Sequence, residues 1–215
     1  MKLLIGPRQY STWSLRPWLV LKRTGAEFKT LDARYDTPEH KAALSQISPT
    51  GLVPLLILGD EKIWDSLAIS EWAAETYPEA GLWPENPMAR AYARSVTAEM
   101  HSGYYALRHY CGTGPDHPQV GPSVAPAPDH PDLSKDLKRL VSVWIEMRQR
   151  FGADGPWLFG DWSIADAFFT PVAARIRHFQ LDLAAHGDRE GIALAYAKTL
   201  LDDPDFKAWE QAAID

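Results

Sequence analysis

Two short segments hold the residues best suited to chemistry. The first, Ser48-Pro49-Thr50-Gly51-Leu52-Val53-Pro54, sets a proline between apolar residues where a strand should begin. Proline has no N–H to give a ladder, so Pro54 belongs at a strand's first residue or at an edge. A cis peptide between Val53 and Pro54 would turn the chain back and leave Val53's own N–H and C=O facing outward, free to pair with an extended peptide. The second segment, Asp65-Ser66-Leu67-Ala68-Ile69, opens a helical pattern continued by Trp72, Ala73 and Tyr77. Ser66 is placed to cap that helix, and the free N–H groups and dipole of such a terminus attract a carboxylate. Asp65, one residue earlier, is placed to hold an ammonium. A peptide with an amino-acid end at Asp65 and Ser66, and its backbone along Val53, is the ligand these residues suit.

The ordered set Ser-Pro-x-Gly-x-Val-Pro, then a short spacer, then an acidic residue with Ser-x-Ala-Ile, resembles the glutathione-binding half of the cytosolic glutathione transferase family, whose first domain is thioredoxin-like. The resemblance implies that Val53, ahead of a cis Pro54, pairs with the cysteinyl backbone of glutathione while Asp65 and Ser66 hold its γ-glutamyl end. It also implies a hydroxyl that keeps the glutathione thiol ionised, and Tyr10, Ser11 and Ser14 compete for that place. Registering the chain through Arg16 and Leu19-Val20-Leu21-Lys22 puts Ser11 where serine-type members, the zeta, tau and omega-like classes, carry their catalytic Ser or Cys. Ser14 fits a helix cap better, and Tyr10 stays a rival because other classes use a tyrosine near here. His40, or Lys41 beside it, stands where members carry a Lys or Gln on the glycyl carboxylate. Thr12-Trp13 departs from the family's usual pair: it supplies no cysteine for glutaredoxin-like chemistry and does not reproduce the Ser-Ser-Cys of zeta isomerases.

On this resemblance the chain is a serine-type glutathione transferase that takes glutathione as co-substrate, needs no metal, and adds the thiolate to small hydrophobic electrophiles, a detoxification chemistry. A glutathione-dependent isomerase resembling maleylacetoacetate isomerase is the alternative within enzymes. A non-catalytic glutathione-fold binding module is the alternative outside them.

The elements that must position these residues follow from pattern. Lys2–Ile5 forms a short buried strand ended by Gly6-Pro7. Leu15, Trp18, Leu19 and Lys22 repeat at helical spacing, with Ser14 as cap and Pro17 near the first turn. Residues 28–33 alternate as a strand, residues 37–44 make a short helical segment, and residues 55–58 and 62–64 form a hairpin around Gly59-Asp60-Glu61. Strand, helix, strand, helix, strand, strand, helix predicts an α/β layer whose first strand pair is joined by a crossover and whose last pair is antiparallel. The fold expected is a thioredoxin-like βαβαββα glutathione-binding domain over residues 1–78, a proline-punctuated linker at 79–87, and an all-α domain over 88–215 that contributes the electrophile site.

In the helical half, Met88, Tyr92, Val96, Met100, Gly103 and Leu107 predict one long helix ending near Tyr110. Trp13 and, on one face of that helix, Met100, Tyr104 and Arg108 are the candidate walls of the electrophile site. A second long helix carries Leu137, Leu140, Val141, Trp144, Met147 and Phe151. Ser163-Ile164-Ala165-Asp166 is a capping box with Asp in place of Glu, opening a nearly all-apolar helix from Ile164 to Phe179 that should be central and buried. Arg175, Arg177 and His178 near its end fit dipole-complementing cations.

Composition bounds the rest. The formal net charge is −6 with basic and acidic residues interspersed, which excludes a nucleic-acid footprint. A single cysteine, Cys111, excludes an internal disulfide and a Cys-x-x-Cys pair and fits a reducing, cytoplasmic setting. No apolar run has the length of a signal core or a membrane span. Pro-Asp-His-Pro occurs at residues 115–118 and again at 128–131; turn chemistry explains it better than a metal site, and the loop it brackets is a candidate lid. A homodimer is expected from the resemblance.

Overall fold

The structure is a computed structural model that describes residues 1–115, 118, 125 and 127–214. Its first part runs β1 (Lys2–Ile5), α1 (Thr12–Arg23), β2 (Lys29–Asp32), α2 (Pro38–Ile47), β3 (Leu55–Leu58), β4 (Glu61–Ile63) and α3 (Ser66–Thr76). The sheet order is β2-β1-β3-β4. β1 and β2 pair in parallel, with Leu4 opposite Leu31, while β3 runs antiparallel to both β1 and β4. This is a thioredoxin-like α/β layer: the crossover helix α1 lies between the parallel strands in sequence, as a parallel pair requires. Leu3, Ile5, Leu55 and Leu56 are fully buried because the central strands are covered on both faces.

The second part is helical: α4 (Pro87–Ser102), α5 (Tyr105–Tyr110), α6 (Pro131–Phe151), α7 (Ile164–Phe179), α8 (Ile192–Asp202) and α9 (Pro204–Ile214). α7 is buried along nearly its whole length and packs on α1, α4 and α8. It starts where predicted because the capping box closes: the Asp166 carboxylate accepts Ser163's N–H at 2.8 Å and its hydroxyl at 3.0 Å. The same carboxylate also accepts Leu158's N–H at 3.0 Å and the Tyr196 hydroxyl at 2.8 Å, tying the box to the preceding loop and to α8.

Four expectations change. α1 begins at Thr12, so Ser14 lies inside the helix and Pro17 in its second turn. Asp65, not Ser66, is the N-cap of α3, since its Oδ1 accepts the N–H groups of Leu67 at 2.9 Å and Ala68 at 3.2 Å. The long helix expected to reach Tyr110 stops at Ser102, where Gly103 is extended and Tyr104 takes a left-handed conformation at φ 52°. A Cβ on Gly103 would sit 2.7 Å from Glu99's carbonyl oxygen, so glycine is what permits this sharp stop. Met88, expected on the buried stripe, is exposed. Asp116 and His117, and with them most of the candidate lid, lie outside the described residues.

Candidate functional site

The C-terminal ends of β1 and β2 and the N-terminus of β3 face α5, the segment that follows it and α7 across a cleft of about 910 Å³, within the range of small-molecule sites. An adjoining cavity of about 320 Å³ shares Trp13, Val53 and Arg108 with it and extends to Pro54, Asp65 and Ser66. The Val53-Pro54 peptide is cis, as is Trp64-Asp65. Val53's N–H and C=O have no hydrogen-bond partner among the described residues, although β3 is fully paired from the next residue but one. This short edge faces the cavity.

At the far end of the smaller cavity, Asp65 divides its carboxylate. One oxygen caps α3, and the other lies 2.8 Å from His101 Nε2 on α4. Ser66 is 1% exposed, and its hydroxyl is buried without a partner. An unmet hydroxyl at a helix start is expensive unless something else bonds it. Together with the first N–H groups of α3, it offers donors to a carboxylate.

Between β1 and α1 three hydroxyls converge. Ser14 is fully buried, and its Oγ accepts the Gly6 N–H at 3.0 Å and the Ser11 hydroxyl at 2.8 Å. Ser11 stands at the N-cap position of α1 but makes no side-chain bond to the helix's free N–H groups, and it lines the cleft. Tyr35, just beyond β2, brings its phenol to the same point. A Cβ on Gly6 would lie 2.8 Å from the Tyr35 hydroxyl oxygen and 2.9 Å from Ser11 Oγ, so only glycine leaves room for both. Burial, with Tyr10 nearby, pushes the Tyr35 phenol up to about 12, against the pull of its hydrogen bond with Ser11.

The helical wall is cationic. Arg175 on α7 is fully buried and lines the cleft; its guanidinium donates to the carbonyls of Cys111 at 3.0 Å and Pro171 at 3.2 Å. Burial, with Arg108 nearby, lowers it to about 10 against the opposing influence of Cys111. Arg108 donates to the His101 and Ser102 carbonyls and lies 5.6 Å from the Trp13 ring centre. Arg16 is fully buried over Trp13 at 4.1 Å, and burial, then Arg175 and Arg108, lower its pKa well below the ordinary value. None of the three has a carboxylate within ion-pair distance among the described residues. Arg108 and Arg175 line the cleft, so this side of it favours an anion.

The family model described as the glutathione S-transferase N-terminal domain matches residues 10–76. That match makes residues 10–76 a glutathione S-transferase N-terminal domain. Among its relatives, a probable maleylacetoacetate isomerase of Caenorhabditis elegans is 35% identical over 102 residues, a match spanning 47% of either chain. The maleylacetoacetate isomerase of Rhizobium meliloti is 27% identical over 185 residues, 81% of this chain and 82% of that one. In fold it is similar to a Burkholderia glutathione transferase homolog with bound glutathione, at a TM-score of 0.72 and 22% identity, covering 100% of this chain and 98% of that one.

The structure brings Ser11, Trp13, Val53, Pro54, Asp65, Ser66 and Arg108 to the walls of the two cavities. Tyr10, the rival of Ser11, lines the larger cavity as well, whereas Met100, Tyr104 and His40 line neither. Met100 is fully buried in the core, and Tyr104 turns its hydroxyl to Glu99 at 3.2 Å; the break at Gly103 takes both off the face they were expected to share with Arg108. His40 turns its Nδ1 to Asp36 at 2.8 Å, and its neighbour Lys41 lines the cleft. Arg175, expected as a helix-end cation, is a buried cleft wall instead. Sequence reasoning missed Tyr35. The available signal was topological: in an open α/β sheet, ligands lie beyond the carboxyl ends of parallel strands, where Tyr35 follows β2 as Ser11 follows β1. Among the described residues no group of three or more His, Cys, Asp and Glu is placed to hold a metal, and no helix is long and apolar enough to cross a membrane.

Proposed function

We propose that the chain is a serine-type glutathione transferase, a cytoplasmic homodimer by its resemblance, with residues 1–78 binding glutathione, 79–87 linking, and 88–215 supplying the acceptor side. The single observation that carries this reading is that the unpaired Val53 edge, the partnerless Ser66 hydroxyl and Ser11 Oγ face one continuous pair of cavities. A tripeptide laid between them has its cysteinyl backbone on Val53, its γ-glutamyl carboxylate on Ser66 and the α3 terminus, and its ammonium toward Asp65. Its glycyl carboxylate then points toward Lys41, and its sulfur toward Ser11.

The chemistry asked of Ser11 is modest. A thiol with a pKa near ~8.5 is only about 3% ionised at neutral pH, and lowering it by about two units takes ~2.7 kcal/mol of preferential anion stabilisation. One hydrogen bond to the thiolate supplies ~1.5–3 kcal/mol, and the α1 terminus adds ~0.3–1 kcal/mol. Ser11 is the catalytic residue in this scheme, holding the sulfur ionised while the acceptor is attacked. Turnover of several electrophiles by wild type and Ser11→Ala tests it: a large loss in kcat/KM for all of them is expected, and equal rates remove Ser11 from the mechanism.

A second reading rests on the cationic wall. Arg108 and Arg175, which line the cleft without carboxylate partners, favour an acidic acceptor, and two relatives above carry the name maleylacetoacetate isomerase. In that case glutathione adds and leaves again, acting as a true cofactor. Net consumption of glutathione against an unsaturated keto-dicarboxylic acid separates the two: stoichiometric loss supports conjugation, and turnover without loss supports isomerisation.

A further inference from the structure

We propose that His101 is a positioning residue that sets the site's preference for a ligand with a free ammonium: it shares the Asp65 carboxylate with that ammonium, and its charge decides how strongly the carboxylate holds it. This rests on the reading above that the γ-glutamyl ammonium of glutathione lies toward Asp65. Asp65 Oδ1 is committed to α3, where it accepts the N–H groups of Leu67 and Ala68, so an incoming cation is left with Oδ2. That oxygen already lies 2.8 Å from His101 Nε2. Asp65 opens α3 and His101 stands in the last turn of α4, so the contact joins the two parts of the chain at the ligand's edge. Both residues line the smaller cavity beside Ser66, and Asp65 is the one acidic residue among the described residues that line it.

Packing holds the imidazole in place. Its ring centre is 5.5 Å from that of Trp13, edge to face, and 6.1 Å from that of Phe168 on α7. The Asp65 side chain is half exposed and that of His101 a quarter, so the wedged ring leaves the carboxylate open to a second partner. A carboxylate only accepts, so Nε2 facing it carries a proton in either charge state, and a second proton goes to Nδ1. Neutral His101 therefore leaves the carboxylate's charge for the ligand. An imidazolium offsets that charge and repels an ammonium beside it. The other charged groups around the ring are Arg108 on α5, which donates to His101's own carbonyl at 3.2 Å and lines the same cavity, and Arg16 on α1, over the Trp13 ring at 4.1 Å. Histidine is the side chain of this set whose charge ordinarily changes between pH 5 and 8. A ligand with an ammonium is thus held more tightly at the upper end of that range, and a ligand without one gains nothing there.

The test is isothermal titration calorimetry from about pH 5.5 to about pH 8, with two probes: S-methylglutathione, which has no thiol to titrate, and the same molecule with its α-amino group replaced by hydrogen. Wild type should bind S-methylglutathione ~3–10-fold more weakly at the acid end, the scale of partly exposed charges, while the deaminated probe does not weaken. His101→Gln keeps a donor but no titrating charge, so it should flatten the S-methylglutathione profile near the wild-type affinity at the upper end. His101→Ala should flatten it too. A flat wild-type profile overturns the proposal, as does one equally steep for both probes or one that survives in His101→Gln. Asp65→Asn separates this from the reading beneath it. If S-methylglutathione keeps its advantage over the deaminated probe in Asp65→Asn, the ammonium does not lie at Asp65 and both fail. If the advantage is lost there while His101→Gln leaves the profile steep, the Asp65 reading stands and the role of His101 alone falls.

Discussion

Removing the Asp166 carboxylate should destabilise the fold, and by an amount that depends on pH. Asp166 is fully buried and receives four hydrogen bonds, from the N–H groups of Leu158 and Ser163 and the hydroxyls of Ser163 and Tyr196. Asp166→Ala strands these donors at ~1–3 kcal/mol each, non-additively, so a loss of roughly 2–4 kcal/mol is expected at neutral pH. Two effects then compete over the charge. The four donors favour the ionised form, but burial outweighs them and pushes the carboxyl up from 3.8 to about 6. A carboxyl whose folded value is raised binds a proton on folding between those limits, so its contribution to stability is full below the unfolded value and is lost as pH rises through about 6. The difference between wild type and Asp166→Ala should therefore widen by about 1 kcal/mol from pH 7.5 to pH 5. Urea denaturation at fixed protein concentration across that range measures it. A gap that narrows toward pH 5 would show that the hydrogen bonds win over burial, and a gap near zero throughout would remove Asp166 as the anchor of α7.

Ser66→Ala should leave stability unchanged or slightly raised, because the hydroxyl has no partner in the protein, while weakening glutathione ~5–100-fold; a stability loss without an affinity loss would make Ser66 purely structural. Arg175→Met should raise KM for acidic acceptors about tenfold or more and leave neutral acceptors unaffected, since one charge-assisted contact is worth ~1.5–3 kcal/mol. Equal effects on both acceptor types would assign Arg175 to packing through its bonds to Cys111 and Pro171.

Much of this was legible in the chain because local rules and the global fold agree. Pro54 could only open a strand, the run from Ile164 to Phe179 could only be buried, and Ser163 with Asp166 marked where it starts. The errors arise where tertiary contact overrides a local pattern. The sequence pattern ran past Gly103 because Leu107 kept the helical period, but an extended Gly103 and a left-handed Tyr104 break the helix there. Ser14 looked like a cap, yet the buried Gly6 N–H draws its hydroxyl inward and α1 starts three residues earlier, with Ser11 at the cap position. At the α3 start, Asp65 outcompeted Ser66 for the cap and left Ser66's hydroxyl unmet. Tyr35 and Arg175 reach the cleft only through packing between distant elements, which no spacing along the chain encodes.

A crystal structure with glutathione bound tests the central claim most directly. The account predicts the cysteinyl N–H and C=O paired with Val53, the γ-glutamyl carboxylate on Ser66, and the sulfur within ~3.5 Å of Ser11 Oγ. A sulfur lodged against Tyr10, or directed out of the cleft with Ser11 still donating to Ser14, would contradict it.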